Sequence, residues 1–266
     1  MNTGKLTQPL RRLGLMHLLD HSKYLYSYLR TAGRNRQFVR EHPEVALPPD
    51  YLMFESYRLD YRRYYYLGRE SAQAIIDQLS PHLALANQTI LDWGCGPARV
   101  MRHLPQLLPE ASLYGTDYNP KTIAWCQAHI PDVQFSLNGI DPPTEFGAEF
   151  FDAIYGISIF THLSAVNHTR WFDELIRILK PRGVLLLTTH GDAYQAKLTK
   201  AEQVAYEAGE LVTRGKVREG HRVYAAFHPP AFLRKMFEAK AEILEHTPGQ
   251  VASWGIEQDR WILRKR

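Results

Sequence analysis

The sequence has few cysteines, little excess charge of either sign, and no long apolar run. Its 266 residues contain two cysteines, Cys95 and Cys126, which excludes a disulfide scaffold and a four-cysteine zinc site. Lys and Arg total 32 against 28 Asp and Glu, a net charge of +4, so composition alone does not indicate a nucleic-acid partner. The cleanest apolar run, Val184 to Leu187, is far too short to span a bilayer.

Targeting signals and repeats are also missing from the sequence. Lys5, Arg11 and Arg12 are followed by residues 14–20, where polar residues break the apolar stretch and no small-residue cleavage site follows. We therefore expect a cytoplasmic protein with no membrane span. The absence of repeats excludes solenoids and propellers.

The alternation of helical and strand patterns from residue 71 onward predicts an α/β fold. Apolar composition is 45%, with 11 Phe, 15 Tyr and 5 Trp, which is enough to form a large core. The predicted strands cover residues 89–92, 112–117, 133–137, 151–159 and 184–189, with candidate final strands at 241–246 and 259–265. Strands separated by single helices run parallel, so a doubly wound parallel sheet is expected.

Two regions fall outside this alternation. Residues 1–70 are typical of a helical N-terminal extension, and residues 71–266 form the main domain with an insertion at 192–224. The insertion is predicted to be a helix followed by a polar hairpin. We expect both the extension and the insertion to act as a lid over the carboxyl edge of the sheet.

Tyrosines and arginines alternate at the end of the extension. Tyr57, Tyr61 and Tyr64 step by four and then three, which predicts one helical face packed toward the ligand side, with Arg62 and Arg63 in solvent. Interleaved tyrosines and arginines are also found in proteins that bind single-stranded nucleic acid, but the sequence contains no recognised nucleic-acid-binding module. We therefore favour a small-molecule pocket.

The run from Asp92 to Arg99 carries the strongest chemical signal. Its two glycines, Gly94 and Gly96, lie between a strand and a helix, where they let the backbone approach a ligand. Asp117 ends the next strand, 21 positions after Gly96, at the distance of a carboxylate that accepts from both ribose hydroxyls. Arg99 replaces the third glycine of the dinucleotide fingerprint, and Asp92 would repel pyrophosphate but suits an ammonium and a sulfonium. The pattern predicts S-adenosyl-L-methionine as cofactor.

These residues resemble the class I S-adenosylmethionine-dependent methyltransferases over about residues 71–191. Ile90 to Gly96 is similar to the first motif of the family, and Gly115 to Asp117 to its ribose-binding site. Leu179 to Gly183 resembles a later turn, in which Arg182 replaces one of two glycines. The resemblance implies a Rossmann-like, seven-stranded, mostly parallel sheet with an antiparallel last strand.

The resemblance also implies positions for the cofactor. Gly94 and Gly96 would approach its methionine portion, Asp117 would bind the ribose, and Tyr118 would stack on adenine. The cofactor-binding residues implied are Asp92, Gly94, Gly96, Asp117, Tyr118, Asn138, Arg69 and Phe160.

Two of these positions have an alternative interpretation. Asn138 lies near the adenine edge in the family, but it also fits a simple turn before Gly139. Arg69 would pair with the methionine carboxylate, or it is one of many surface arginines. Both alternatives stay open from the sequence.

The expected reaction is methyl transfer to a small molecule at a hydroxyl oxygen. Asp141-Pro142-Pro143 resembles the tetrapeptide of base-modifying methyltransferases, but it precedes strand four and lacks the aromatic residue, which disfavours base N-methylation. An alcohol acceptor needs a general base, and His162, His190 and His228 are the candidates, with His162 first because strand four is expected beside strand one. The alternative for each is a polar residue that satisfies loop backbone.

Other function classes remain as alternatives. A nicotinamide-dependent oxidoreductase shares the ribose carboxylate, but Asp92 and the missing third glycine disfavour it. A non-catalytic nucleoside-binding module would retain the same glycine turn. The histidines show no metal-ligand spacing, so no metal is expected. No motif identifies the acceptor or the oligomeric state.

Overall fold

The computed structural model describes residues 15–215 and 217–266, so Lys5, Arg11 and Arg12 lie outside the described residues. The chain divides into two compact units, His17–Leu137 and Asn138–Arg266, with Met16 grouped with the second. The helices are α1 Met16–Glu41, α2 Asp50–Ser56, α3 Gly68–Leu79, α4 Leu104–Leu107, α5 Pro120–His129, α6 Ala165–Ile178, α7 Lys200–Glu207 and α8 Pro230–Glu238. The sheet-forming strands are β1 Thr89–Trp93, β2 Ser112–Asp117, β3 Gln134–Leu137, β4 Phe151–Gly156, β5 Leu179–Thr189, β6 Val212–Arg214, β7 Ala225–Phe227, β8 Ala241–Thr247, β9 Val251–Ala252, β10 Gly255–Ile256 and β11 Asp259–Lys265.

The main sheet has seven strands in the order β3-β2-β1-β4-β5-β11-β8. β1 pairs with β2, β2 with β3, and β4 with β5, all in parallel. β11 runs antiparallel to both of its neighbours, β5 and β8. The predicted Rossmann-like sheet with an antiparallel last strand is confirmed. Within the described residues, no helix is both long and apolar enough to cross a membrane.

The extension within the first unit is helical, as predicted, but its tyrosines do not share one helix. α2 ends at Ser56, and Tyr57 has φ −147° and ψ −97°, which is not helical. A new helical segment starts where the Asp60 carboxylate accepts a hydrogen bond from the Arg63 amide at 3.1 Å. The prediction that Tyr57 shares a helical face with Tyr61 and Tyr64 is therefore wrong. Arg62 and Arg63 are exposed, as expected.

The segment after β1 forms less helix than its apolar spacing predicts. It contains a single 3₁₀ turn, Met101–His103, followed by the four residues of α4. Pro105 lies in the first turn of α4, where its missing amide hydrogen would have had no helical partner. Pro105 therefore lies at the start of this short helix rather than inside a longer one.

In the second unit, α6 and β5 join without a loop. α6 begins at Ser164, whose hydroxyl accepts from the Asn167 amide at 3.3 Å, and it buries the predicted apolar stripe that includes Trp171 and Leu175. Arg182 has φ +63°, a left-handed conformation that favours glycine. This conformation explains why the related turn elsewhere has a glycine at the position of Arg182.

The insertion is a helical segment followed by a short antiparallel hairpin, as predicted. A 3₁₀ segment, Asp192–Lys197, leads to α7, where Thr199 and Glu202 form a reciprocal capping box. β6 and β7 pair antiparallel. The Arg214 guanidinium donates two hydrogen bonds to the Glu202 carboxylate, at 2.9 and 2.7 Å, and so ties β6 to α7.

Candidate functional site

The glycine turn after β1 is held against the end of β2 by backbone hydrogen bonds. The amides of Gly94 and Cys95 both donate to the Thr116 carbonyl at 2.8 Å. The Gly96 amide donates to Asp117 Oδ2 at 3.1 Å, and the Asn119 amide to Oδ1 at 2.8 Å. The Asp117 carboxylate is therefore oriented by main-chain donors on both of its oxygens.

Burial dominates the electrostatics of Asp117. It raises the pKa of this carboxyl to about 6, and the backbone hydrogen bonds from Asn119 and Gly96 only partly oppose the rise. Glu55, in α2, adds a smaller repulsive contribution. The carboxylate is ionised at neutral pH and becomes protonated under mildly acidic conditions.

The small residues of the turn are required by space. Gly94 and Gly96 have φ +77° and +51°, and a Cβ on Gly96 would lie 3.1 Å from the Ser56 Cβ. A Cβ on Gly115 would lie 2.7 Å from the Phe135 ring and 3.2 Å from the Cys95 sulfur. Burial raises the pKa of the Cys95 thiol, so it is protonated and fills space, as its position in the turn indicated.

The helical extension contacts the glycine turn directly, through Tyr64 and Tyr57, two of the tyrosines predicted to face the ligand side. The buried Tyr64 hydroxyl donates to the Pro97 carbonyl. The Arg99 guanidinium lies 4.5 Å from the centre of the Tyr57 ring and donates to the Ser71 hydroxyl at 2.9 Å. The turn is thus packed between the sheet and residues of the extension.

The remaining predicted cofactor residues are more scattered. Asp92 is buried in β1, and Tyr118 is half-buried after β2, in the same unit as the glycine turn. Arg69 is exposed in the first turn of α3. Asn138 donates to the Gly139 carbonyl at 2.6 Å, while its Oδ1 is buried without a hydrogen-bond partner.

The residues around β1 and β2 fit the predicted cofactor. The turn leaves a glycine-lined cradle, and the ends of β1 and β2 bring Gly96 and Asp117 into hydrogen-bond contact. A carboxylate has about four lone-pair sites, and Asp117 accepts from the backbone amides of Gly96 and Asn119, with a further backbone contribution from Tyr118. An ionised carboxylate oriented in this way suits a ribose hydroxyl as its next donor.

Two of the candidate bases, His162 and His190, have the same tautomer. His162 Nδ1 lies 2.8 Å from the Tyr224 carbonyl oxygen, and His190 Nδ1 lies 3.0 Å from that of Ala226. A carbonyl can only accept, so each Nδ1 carries the hydrogen and each Nε2 carries the lone pair. Both rings are fixed in the form that accepts a proton at Nε2.

Burial lowers the pKa of both rings. For His162, repulsion from His221 and Arg222 adds to the effect of burial, and the hydrogen bond to the Tyr224 carbonyl opposes it. Burial, then the proximity of His162, lowers the pKa of His190 to about 3. A general base is most effective when its pKa lies near the working pH, so a pKa of about 3 makes His190 a poor base.

His228 belongs to a buried histidine pair. Its Nε2 lies 2.9 Å from His168 Nε2, and its side chain is fully buried. His168 Nδ1 must donate to the Ser164 carbonyl at 2.7 Å, so its Nε2 accepts from His228. Burial holds both pKa values below normal, that of His168 at about 4. This arrangement fits a structural pair, and the role of His228 as a general base stays a prediction.

The end of β4 carries a polar network that the sequence did not reveal. Ser158 is left-handed, with φ +66°, and its amide donates to Thr188 Oγ1 at 2.8 Å. The Gln258 side chain donates to Ser158 Oγ at 2.7 Å and accepts from Thr188 Oγ1 at 2.6 Å. Phe160 follows, buried, with its ring stacked on His168 at 5.0 Å. The network fixes the loop that carries His162.

Metal-ligand geometry is absent from the described part of the chain. Across residues 15–215 and 217–266, no three His, Cys, Asp or Glu side chains lie together as metal ligands do.

Comparisons with known proteins agree with this geometry. Residues 90–183 match a family described as a methyltransferase domain. The chain is 27% identical over 168 residues to a phthiotriol/phenolphthiotriol dimycocerosates methyltransferase of Mycobacterium ulcerans, covering 58% of this chain and 60% of that protein. It is 26% identical over 148 residues to a trans-aconitate 2-methyltransferase of Escherichia coli, covering 54% and 56%. The matched segments span less than two thirds of these relatives.

A solved structure supports the same fold. The magnesium protoporphyrin IX methyltransferase of Synechocystis PCC 6803, with bound SAH, superposes with a TM-score of 0.54 at 14% identity, covering 92% of this chain and all of that one. Residues 90–183 are therefore similar to a methyltransferase domain, and the fold is shared with a methyltransferase that holds SAH, in agreement with the resemblance stated from the sequence. The cofactor predicted from Asp92 and Asp117 is S-adenosylmethionine, whose demethylated form is the SAH of that structure.

Proposed function

We propose that the protein transfers a methyl group from S-adenosylmethionine to a hydroxyl oxygen of a small molecule. The observation that carries this proposal is the tautomer of His162, whose Nδ1 donates to the Tyr224 carbonyl and leaves Nε2 as an acceptor. A neutral alcohol is a weak nucleophile and benefits from a base that removes its proton, typically by about 10²–10⁴-fold. The bound cofactor supplies an electrophilic methyl group on a positively charged sulfur.

The main cofactor contacts are assigned to residues of the first unit. Gly94 and Gly96 line the methionine portion, Asp117 accepts from the ribose hydroxyls, and Tyr118 stacks on adenine. Support comes from the orientation of the Asp117 carboxylate by the Gly96 and Asn119 amides. Asp92, Arg69, Asn138 and Phe160 remain proposed contacts.

The acid–base chemistry is assigned to the second unit. As the acceptor oxygen attacks, His162 Nε2 takes its proton, and the Tyr224 carbonyl stabilises the resulting imidazolium through Nδ1–H. Alignment of acceptor and donor contributes most to the rate, and roughly 7–11 kcal/mol of the barrier can come from this source. His190, with its lower pKa, is proposed to line the acceptor pocket rather than to act as base.

The extension and the insertion are proposed to act as lids. Within the first unit, Tyr64 and Tyr57 already contact the glycine turn. Within the second, the Gly220 amide donates to the His162 carbonyl at 2.9 Å, and Tyr194 stacks on His190 with 4.0 Å between ring centres. Each lid segment thus lies on residues that the proposed reaction uses.

Transfer of an isotope-labelled methyl group to a panel of alcohols, phenols, amines and carboxylic acids tests the proposal. We expect labelled ethers as products, and calorimetry should show binding of the cofactor and of its demethylated product. Labelled esters or amines would refute the hydroxyl acceptor while keeping the methyltransferase. Cofactor binding without any turnover would favour the non-catalytic module. Binding of a nicotinamide dinucleotide instead would favour the oxidoreductase.

A further inference from the structure

Helix α1 buries a polar face against its own chain. The buried or half-buried positions lie mostly three or four residues apart and include several polar side chains: Met16, Leu19, Asp20, Tyr24, Ser27, Thr31, Ala32, Asn35 and Phe38. Asn35 donates to Thr31 Oγ1 at 3.3 Å and accepts from the Tyr61 amide at 3.1 Å. Hydrogen bonds therefore hold much of this helix in place.

The opposite face of α1 is apolar and exposed. Leu18, Leu25 and Leu29, the leucine stripe, are separated by seven and four residues and so lie on one line along the helix. Their side chains are 69%, 48% and 75% exposed. Tyr26 and Tyr28 are also largely exposed, one on either side of this line. An ordinary surface helix has the reverse arrangement, with its leucines on the core and its polar residues in solvent.

The charge of α1 indicates what kind of surface the leucine stripe meets. The helix has five basic residues and two acidic ones, which leaves a net charge of +3. Lys23, Arg30, Arg36 and Arg40 are all exposed, and Arg36 continues the line of the leucine stripe two turns beyond Leu29. Of the two acids, Asp20 is buried and Glu41 is paired with Arg62 at 2.9 Å. The exposed side of α1 therefore presents leucine, tyrosine and positive charge.

We propose that α1 docks on an anionic phospholipid surface, with the leucine stripe inserted among the acyl chains. The tyrosines would lie at the level of the headgroups, and the exposed lysine and arginines would pair with lipid phosphates. A second copy of the chain fits less well, because two such helices would bring their arginines together without acidic partners. The proposal does not depend on the acceptor of the methyl group.

Vesicle flotation of the full-length protein tests this proposal. The probes are vesicles of phosphatidylcholine alone and vesicles that also contain phosphatidylglycerol, each at low and high salt. We expect binding only to the anionic vesicles, and weaker binding at high salt as the charges are screened. The variant Leu25→Gln/Leu29→Gln should bind at least about tenfold more weakly, because two large apolar side chains no longer insert.

A matched control is Val166→Gln/Val204→Gln, which removes two valines that are 66% and 68% exposed on α6 and α7. It should bind vesicles like the parent protein, and calorimetry should show unchanged cofactor affinity in both variants. Equal vesicle binding by the leucine variant and its parent would overturn the proposal, as would no preference for anionic lipid. Light scattering that shows a dimer in the parent and a monomer in the leucine variant would also overturn it, in favour of self-association.

Discussion

The pKa of Asp117 makes the proposed ribose contact sensitive to mild acid. Burial raises this pKa to about 6, so the carboxylate is mostly ionised at pH 7 and about one-tenth ionised at pH 5. If only the carboxylate binds the ribose hydroxyls, affinity for the cofactor falls about tenfold between pH 7 and pH 5. Calorimetric titration with the demethylated product across this range measures the effect.

The variant Asp117→Asn should weaken binding at pH 7 and abolish the pH dependence. Asparagine keeps an oxygen for the Asn119 amide but has no charge and one acceptor oxygen instead of two. Each hydrogen bond to a charged group contributes roughly 1.5–3 kcal/mol, so the loss of a single ribose contact predicts a tenfold to hundredfold higher Kd. Asp117→Ala should lose as much affinity, and it also leaves the Gly96 and Asn119 amides without their acceptor.

Two controls separate this effect from general destabilisation. Asp141→Asn removes a carboxylate that is 61% exposed and should leave affinity unchanged at every pH. Thermal unfolding should show that Asp117→Asn is folded, because it removes a buried charge. The reasoning fails if Asp117→Asn binds like the parent at pH 7, or if the affinity of the parent is the same at pH 7 and pH 5.

Four further predictions concern the histidines, the extension and the insertion. His162→Ala should keep cofactor affinity and lose at least about a hundredfold in turnover, and His190→Ala should lose less. The turnover of the parent protein should rise with pH, with a midpoint below 6.5. A normal turnover in His162→Ala would exclude His162 as the base. The pKa of His168 is depressed to about 4 in the folded state, so the stability present above pH 6.5 is lost as pH falls toward 4. Other buried histidines add to this loss, so urea unfolding should show a loss between pH 7 and pH 5 that is about 2 kcal/mol smaller in His168→Phe than in the parent; an equal loss in the two proteins would contradict this origin. Tyr64→Phe should lower the free energy of unfolding by roughly 0.5–1.5 kcal/mol and weaken cofactor binding, whereas Tyr26→Phe should do neither. Hydrogen exchange in residues 15–70 and 192–224 should slow when cofactor is added, and unchanged exchange in both would refute the lids.

The sheet and the cofactor turn were predictable because their signals are local. Gly94 and Gly96 directly follow β1, and Asp117 ends the next strand. Asp92 to Asp117, a span of 26 residues, therefore defines the site. Steric demands reinforce the pattern, since a Cβ on Gly96 or Gly115 meets a neighbour at once. The parallel direction of the early strands follows from the same alternation of helix and strand, whereas the antiparallel last strand was implied only by the family resemblance.

The contacts of the candidate base could not be predicted from the sequence, because they join residues far apart in the chain and use backbone atoms. His162 and Tyr224 are 62 residues apart, and the acceptor is a carbonyl oxygen, which every residue has. Gln258 reaches Ser158 across 100 residues. The pairing of His228 with His168 was not predicted, because the two residues are 60 positions apart in the sequence. Sequence spacing identified the histidines but not which ones are paired.

The position of β11 imposes an order on biosynthesis. β5 and β8 emerge from the ribosome first, yet neither pairs with the other, because β11 lies between them. Until β11 is synthesised, each has an edge with unpaired amides and carbonyls, and β5 is long and apolar. A nascent chain that stalls before Asp259 therefore exposes two unpaired strand edges at once, and such edges favour aggregation. Protection by a chaperone during this interval would matter more than at any earlier stage of translation.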